Sequence, residues 1–317
     1  MLINDRVYGK SKIDSPVLIE LIRSKTIQRL KRIGQFGVPN EFYHLKNFSR
    51  YEHSVGVMIL LKKLGATEEE QVAGLLHDAS HTAFSHLIDW VLSSSRTEDA
   101  QDRQHKKYIN SSDTKHILIK YRYDPNKISE YNIFGLLERS IPDLCADRID
   151  YSLREMPINI TSKCLKDLTT YNGKIVFKHK THALLFAKEF LSIQMNHWGG
   201  FEASARFRLF ADVLRQAIKK KIIKLSDFWR DDKFVTDKLK KLDHPKTTRV
   251  LKTLRNKSLS YLPKSTQVIH KKFRHVDPLY LKNGRAVRLS QTDGKFKEEL
   301  RHASKFNQEG IVVPLIE

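Results

Sequence analysis

The stretch from Ser49 to Asp78 leaves the chain little choice of fold. Ser49-Arg50-Tyr51-Glu52 has the form of a capping box, a hydroxyl three residues ahead of a carboxylate, and Thr67-Glu68-Glu69-Glu70 repeats it. Val57, Leu60 and Leu61 follow the first box up to Gly65; Val72, Leu75 and Leu76 follow the second up to the pair His77-Asp78. Two helices joined this closely pack as an antiparallel hairpin. The first turn of one, which carries His53, then meets the last turn of the other, which carries His77-Asp78.

The neighbouring sequence also predicts helices. Asp14-Ser15-Pro16 is a helix start, and Leu18, Ile22, Ile27, Leu30 and Ile33 recur behind it at near-helical spacing. One helix ending between Gly34 and Gly37 is predicted there. Leu136–Arg154, Ala183–Gln194 and Phe207–Ile223 predict three more. The polar run Ser93–Asp113 breaks the apolar pattern and predicts a surface excursion. Near the C-terminus, Val268-Ile269, Leu279-Tyr280-Leu281, Ala286–Leu289 and Ile311–Val313 are short β-favouring runs, with turns expected at Asn283-Gly284 and Asp293-Gly294. The expectation is a mainly α chain: a helical bundle over residues 1–225, carrying a basic α+β or β appendage over residues 226–317.

Charge adds a hint about partners. The formal net charge is +21, and residues 205–317 hold 28 Lys+Arg against 12 Asp+Glu. A basic back half suits a polyanion, nucleotide or nucleic acid, although a solvated lysine surface accounts for it equally well. The longest apolar run, Val55–Leu61, is too short to cross a bilayer, and Met1–Arg6 lacks the pattern of a signal peptide. Cys145 and Cys164 make neither a disulfide framework nor a thiolate zinc site. A cytoplasmic protein without a membrane partner is expected.

His53, His77, Asp78 and Asp147 together offer imidazole nitrogens and carboxylate oxygens, a donor set for Mn, Fe, Zn, Ni or Mg. A divalent ion there lowers the pKa of water enough for attack on phosphorus near neutral pH. Residues 147, 151 and 154 share a helical face, so Tyr151 and Arg154 are expected to line the same cavity. His81, His86 and His105 are spare imidazoles that can protonate a leaving oxygen or hold a phosphate, and Asp89 can orient one of them. His44, His116, His179, His182, His197, His244, His270, His275 and His302 lack ligand-like spacing and are expected to be surface or structural residues. A structural role for His53 and His77 themselves is the bland alternative.

At these residues the sequence resembles the HD superfamily, and within it the branch of bacterial dGTPases and the sterile-alpha-motif/HD dNTP triphosphohydrolase. The resemblance runs from about Ile13 to Glu155 and more weakly to about Ile223. It implies a metal on His53, His77, Asp78 and Asp147, phosphate contacts from Arg50 and Arg148, and His81 near the α-phosphate. It implies acid catalysis by His86 with Asp89, Gln35 against the sugar 3′-hydroxyl and Tyr151 as a wall to the sugar. His105 matches a family His-Glu pair whose glutamate is replaced here by Lys106. The implied reaction releases deoxynucleoside and triphosphate, and the implied state is a homo-oligomer. Phe36, Glu155 and Arg23 depart from the family pattern at positions that bear on sugar selection and nucleotide activation.

Two other readings stay open. One keeps the metal and makes the substrate a phosphodiester, nucleic acid or cyclic nucleotide, which the basic C-terminal region favours. The other is a non-catalytic nucleic-acid-binding protein, with Tyr261, Phe273, Tyr280 and Phe296 stacking on single strands. The core of a small β-layer explains those aromatics better.

Overall fold

The computed structural model describes residues 1–92 and 100–314. A hairpin of β1 (Leu2–Asp5) and β2 (Gly9–Lys12) leads into α1 (Pro16–Arg23), capped by the Ser15 hydroxyl, which accepts from Leu18 N. The single helix predicted to reach Gly34 is instead cut at Ser24. That residue leaves helical backbone (ψ 152°), and its hydroxyl caps a second helix, α2 (Lys25–Arg29), followed by a 3-10 turn at Leu30–Arg32. A serine hydroxyl competes with helical backbone bonds in this way wherever packing permits. Leu18, Ile22, Ile27, Leu30 and Ile33 are all buried nevertheless.

Helices α3 (Arg50–Lys63) and α4 (Glu68–Leu76) form the expected hairpin, joined through Gly65 in left-handed backbone (φ 77°). Ser49 and Glu52 complete a capping box. Only half of the second box forms. Thr67 accepts from Glu70 N, but the Glu70 carboxylate turns away to accept from Leu136 N and Leu137 N at 2.7 and 3.0 Å.

After α5 (Leu87–Val91), residues 93–99 of the predicted surface excursion lie outside the described residues. From residue 100 onward the excursion is a helix, α6 (Ala100–Ser111), succeeded by α7 (Asp113–Lys120) and α8 (Pro125–Ser129). The α6 face 101/105/109 turns inward. Gln101 Nε2 donates to His77 O and Ser80 Oγ, while His105 and Ile109 are buried. A face built of Gln, His and Ile gives little apolar periodicity to read.

The helix predicted from Leu136 begins only at Ala146, as α9 (Ala146–Glu155). Pro142 lies in between, and a proline with its restricted predecessor blocks a continuous helix. Next come α10 (Ile158–Asp167), the hairpin β3 (Leu168–Tyr171) and β4 (Lys174–Phe177), and α11 (Lys180–Ile193). A π-helical turn at Gln194–Trp198 leads into α12 (Phe201–Lys219).

The C-terminal region holds α13 (Asp232–Leu239), α14 (Pro245–Leu254), β5 (Lys264–Ile269), β6 (Leu279–Lys282) and β7 (Arg285–Arg288). It closes with α15 (Leu289–Thr292), α16 (Gly294–Glu309) and β8 (Ile311–Pro314). Asn283 and Gly284 form the β6–β7 turn in left-handed backbone, as predicted. Asp293-Gly294 does not separate strands: Asp293 accepts from Phe296 N and starts α16.

The chain is mainly α, with small sheets. Strand β6 pairs with β4 in a sheet ordered β3-β4-β6-β7, and β5 pairs with β8, so one sheet is shared across the boundary expected at 225/226. The larger buried cluster runs from Tyr8 to Phe296; a second joins Val38, Phe84 and Trp90 to residues of α12, α13 and α14. Among the described residues no helix is long and apolar enough to cross a membrane.

A candidate metal centre at the end of the helix pair

His53 lies in the first turn of α3, His77 at the end of α4 with Asp78 beside it, and Asp147 in the first turn of α9. His53 Nε2 is 2.9 Å from Asp147 Oδ1 and 3.2 Å from His77 Nε2; His77 Nε2 is 3.4 Å from the same carboxylate oxygen. Asp78 places its two oxygens 3.6 Å from these nitrogens, one each. The tautomers follow from the second nitrogens. His77 Nδ1 lies 2.7 Å from Gly74 O, which can only accept, so Nδ1 carries the hydrogen. His53 Nδ1 lies 2.8 Å from Asp150 Oδ2, an acceptor held ionised by Arg154. With Nδ1 the fixed N–H of each ring, Nε2 is the atom converging on the carboxylate oxygens, where it can give a lone pair to a cation or, without one, an N–H to Asp147. A cation resolves that convergence; protons shared among the groups are the metal-free substitute.

The electrostatics carry the same message. Burial opposes charge on His77, but Asp78 and Asp147 overcome it and hold the imidazole up at about 9. Burial also works against ionised Asp147 and Asp78. The His53 and His77 bonds hold Asp147 down, and Arg50, followed by His77 and His81, holds Asp78 well below the usual carboxylate range. The donor set, one His53 and one His77 nitrogen with Asp147 and Asp78, fits a divalent ion, and His53, His77 and Asp147 already sit within 4.8 Å of one another.

Behind the cluster runs a buried chain of ion pairs. Arg154 holds Asp150 through two bonds of 2.7 and 3.1 Å and reaches Asp5 at 2.9 Å. This corrects the expectation for Arg154, which packs behind His53 and not along the cavity. Gly56 makes the approach possible: a Cβ there would run into both Asp150 and Arg154. Asp150 was legible as half of an i,i+4 Asp–Arg pair on α9; nothing in the sequence linked it to His53.

The cluster floors a cavity of about 830 Å³. His77, Asp78 and Asp147 face it, with Arg50 and Arg148. Arg50 donates to Asp78 Oδ2 at 2.6 Å and to Ser85 Oγ at 2.9 Å. Arg148 is tied to Asp143 O and Arg139 O. His81 and His86 also line the cavity, their rings edge to face at 4.9 Å. Burial and the Arg50 charge keep His81 neutral, its Nε2 3.1 Å from Asp78 Oδ1. His86 Nδ1 is 3.7 Å from Asp89 Oδ2, beyond hydrogen-bond range. His105 does not reach the wall. It is packed between Ser80 (2.9 Å) and Tyr131, and burial, with the nearby His77, lowers it to about 3.

Gln35, Phe36, Tyr151 and Glu155 line the same cavity, with Tyr43, His197 and Trp198, and the Tyr151 ring centroid lies 6.3 Å from that of His53. Glu155 is committed: one oxygen accepts from His197 Nδ1 at 2.5 Å, the other from Trp198 Nε1 at 2.7 Å. His197 Nε2 then accepts from the Tyr43 hydroxyl at 2.8 Å, and Phe36 packs edge-on against the His197 ring at 4.6 Å. Gln35 Oε1 is buried without a hydrogen-bond partner. His197 was read as a surface or structural residue; it lies on the cavity wall, within the π-helical turn Gln194–Trp198. The segment Lys271–Arg274, including Phe273, closes one side of the cavity, while Tyr280 and Phe296 are core and Tyr261 is exposed. His179 and His182 meet Asp167, at 2.5 and 3.2 Å. Asp167 ends α10, His179 precedes α11 and His182 lies in its first turn, apart from the cavity.

Residues 50–168 match the family model described as HD domain. Over 333 aligned residues, 100% of this chain and 99% of the relative, the sequence is 33% identical to the uncharacterised YdhJ protein of Bacillus subtilis (strain 168). Over 155 residues, 49% of this chain and 45% of the relative, it is 41% identical to the metal-dependent phosphohydrolase cns2 of Cordyceps militaris. It is 33% identical over 103 residues to the Homo sapiens deoxynucleoside triphosphate triphosphohydrolase SAMHD1, spanning 28% of this chain and 16% of that one. The fold resembles the crystal structure of the phosphohydrolase BT4208 of Bacteroides thetaiotaomicron VPI-5482, with a TM-score of 0.66 and 18% identity over 95% of this chain and 96% of that chain.

Proposed function

The chain belongs to the HD-domain family of metal-dependent phosphohydrolases, and from that premise we propose that it hydrolyses a deoxynucleoside triphosphate at the α-phosphate. The observation that carries the proposal is the convergence of two imidazole Nε2 atoms and two carboxylates on the floor of a cavity walled by Arg50 and Arg148. His53, His77, Asp78 and Asp147 would hold the ion, which supplies Lewis-acid activation of water and of the phosphoryl group.

The chain's own groups do the rest. Arg50 and Arg148 neutralise phosphate oxygens. As the water oxygen bonds to phosphorus and sheds a proton to solvent, the bond to the sugar O5′ breaks, and His86, with the Asp89 carboxylate 3.7 Å from its Nδ1, gives its proton to that leaving oxygen. The products are deoxynucleoside and triphosphate. Gln35 Oε1, buried and unpartnered, accepts the sugar 3′-hydroxyl, while Glu155 is turned to His197 and Trp198. Tyr151 walls the sugar. The likeness to SAMHD1 supports a nucleotide substrate, though it spans a minor part of each chain.

A phosphodiester substrate is the second reading, favoured by the Lys271–Arg274 segment on the cavity wall. One experiment separates the two. Incubate the protein and Mn²⁺ with dNTPs, NTPs, nucleoside monophosphates and labelled single-stranded DNA, then identify products. Triphosphate plus deoxynucleoside is the expected result. Cleaved DNA with intact dNTPs would transfer the assignment to the phosphodiesterase reading.

A further inference from the structure

Phe84 and Ser85 both have left-handed backbone, with φ 64° and 49°. L side chains avoid that region, and a phenylalanine side chain can make no hydrogen bond to compensate. The segment is held from outside. Ala83 N donates to Phe228 O at 2.7 Å, and Phe84 N donates to Asp232 Oδ1 at 2.7 Å. The other oxygen of that carboxylate accepts from Gly34 N at 2.8 Å. Gly34 O accepts from Ser85 Oγ at 2.7 Å, and Ser85 Oγ accepts from Arg50 Nε at 2.9 Å. One carboxylate thus ties the segment entering His86 to the segment entering Gln35 and Phe36. Other bonds lie beside this tie without forming part of it. Arg29 bridges Arg230 O (3.0 Å) to Ala79 O and His81 O (2.8 Å each), and Arg32 pairs with Asp231 at 2.9 Å.

We propose that Asp232 is a positioning residue of this site, setting the separation between the Gln35–Phe36 wall and the His81–His86 wall between which the substrate lies. Asp232 lies outside the residues matched by the family model and touches none of the metal-facing atoms. The geometry requires a carboxylate. Each oxygen takes one backbone N–H; an asparagine offers one acceptor and turns its amide N–H against the other backbone donor. Asparagine is therefore a half-replacement and alanine a full removal.

The proposal uses the phosphohydrolase reading only for its turnover arm. The test compares the full-length wild type, Asp232→Ala, Asp232→Asn and Asp231→Ala. The last loses the Arg32 pair and the α13 cap at Phe234 N but keeps both wall bonds. Three properties are read: amide exchange of peptides spanning 30–36 and 79–88, bound metal, and kcat and KM with Mn²⁺. The substrates are the dNTP panel and bis(p-nitrophenyl) phosphate.

Exchange at Gly34 and Phe84 should accelerate at least tenfold in Asp232→Ala and less in Asp232→Asn. Metal content should stay at the wild-type level, and kcat/KM should fall ten- to a hundredfold in the same order. Asp231→Ala should lower Tm without moving exchange or kcat/KM. Unchanged exchange overturns the proposal on any substrate, as does faster exchange with unchanged kcat/KM. A wild type inert toward dNTPs would instead remove the nucleotide reading. Exchange and bis(p-nitrophenyl) phosphate turnover would still decide on Asp232.

Discussion

The imidazoles of His53 and His77 are fixed from behind, and that fixes what lies in front of them. Asp150 holds His53 through its Nδ1, and Arg154 holds Asp150, in a pair whose side chains are fully buried. Removing Asp150 leaves the four metal-facing groups in place but frees the ring, and partners of this kind are commonly worth ten- to a hundredfold in metal affinity. Asp150→Ala should therefore bind Mn²⁺ about ten- to a hundredfold more weakly by calorimetry. Undiminished affinity would show that the chain behind His53 is structural only. Arg154→Ala should be harsher, leaving Asp150 and Asp5 buried without their partner. A loss of about 3–5 kcal/mol is expected by urea unfolding.

Asp232 adds a pH signature at the same scale. Burial pushes its carboxyl up to about 7, against the pull of the Phe84 and Gly34 N–H groups and of Arg50, and with a further push from Asp231. The unfolded chain releases this proton near pH 4. The native state thus binds it more tightly, and its contribution to stability is full below about pH 4 and lost as pH rises through about 7. Urea unfolding of wild type between pH 4 and 8 should show this decline, and Asp232→Asn should lack that part of the slope. Parallel slopes would contradict the assignment.

At the scale of elements, the site depends on how closely α3 and α9 can approach. Gly56 provides the gap, so Gly56→Ala should push α9 away from His53, lowering both metal occupancy and Tm. Overpacking of this sort typically costs about 1–3 kcal/mol. Retained metal with a lowered Tm would mean that the helices adjust without disturbing the ligands.

The α3–α4 hairpin was readable because caps, apolar face and glycine stop agree over thirty consecutive residues. Helix α6 was not, because its inward face is Gln101, His105 and Ile109, and a polar face that bonds to backbone looks like surface. The Ser24 break was hidden by an apolar spacing that both one helix and two satisfy. His53, His77 and Asp78 stood out because close spacing and helix ends brought ligand types together; Asp147, far along the chain, entered through its match to the motif of the family that the sequence resembles. His197 and Lys271–Arg274 did not, since a π-helical turn and an irregular segment leave no periodicity from which to infer direction. Asp232 could not be found from sequence at all: its partners are backbone N–H groups far away in the chain.

Across the whole molecule, the C-terminal third is woven into the site. Strand β6 adds to β4, Lys271–Arg274 closes one side of the cavity, and Asp232 joins two of its walls. A chain ending at residue 225 would lose these and expose the apolar residues of α12 that pack on α13 and α14. Expressed alone, it should be aggregated or lack a cooperative thermal transition; a folded and active fragment would show that residues 226–317 are an independent appendage.

The central claim is that the four converging groups hold a divalent ion that hydrolyses a nucleotide. It is tested most directly by measuring metal content and reaction products together, in wild type and in His77→Ala. Wild type should carry about one transition-metal ion per chain and release triphosphate from a dNTP, and His77→Ala should lose both. Wild type that binds no metal, or His77→Ala that keeps its full turnover, would contradict the account.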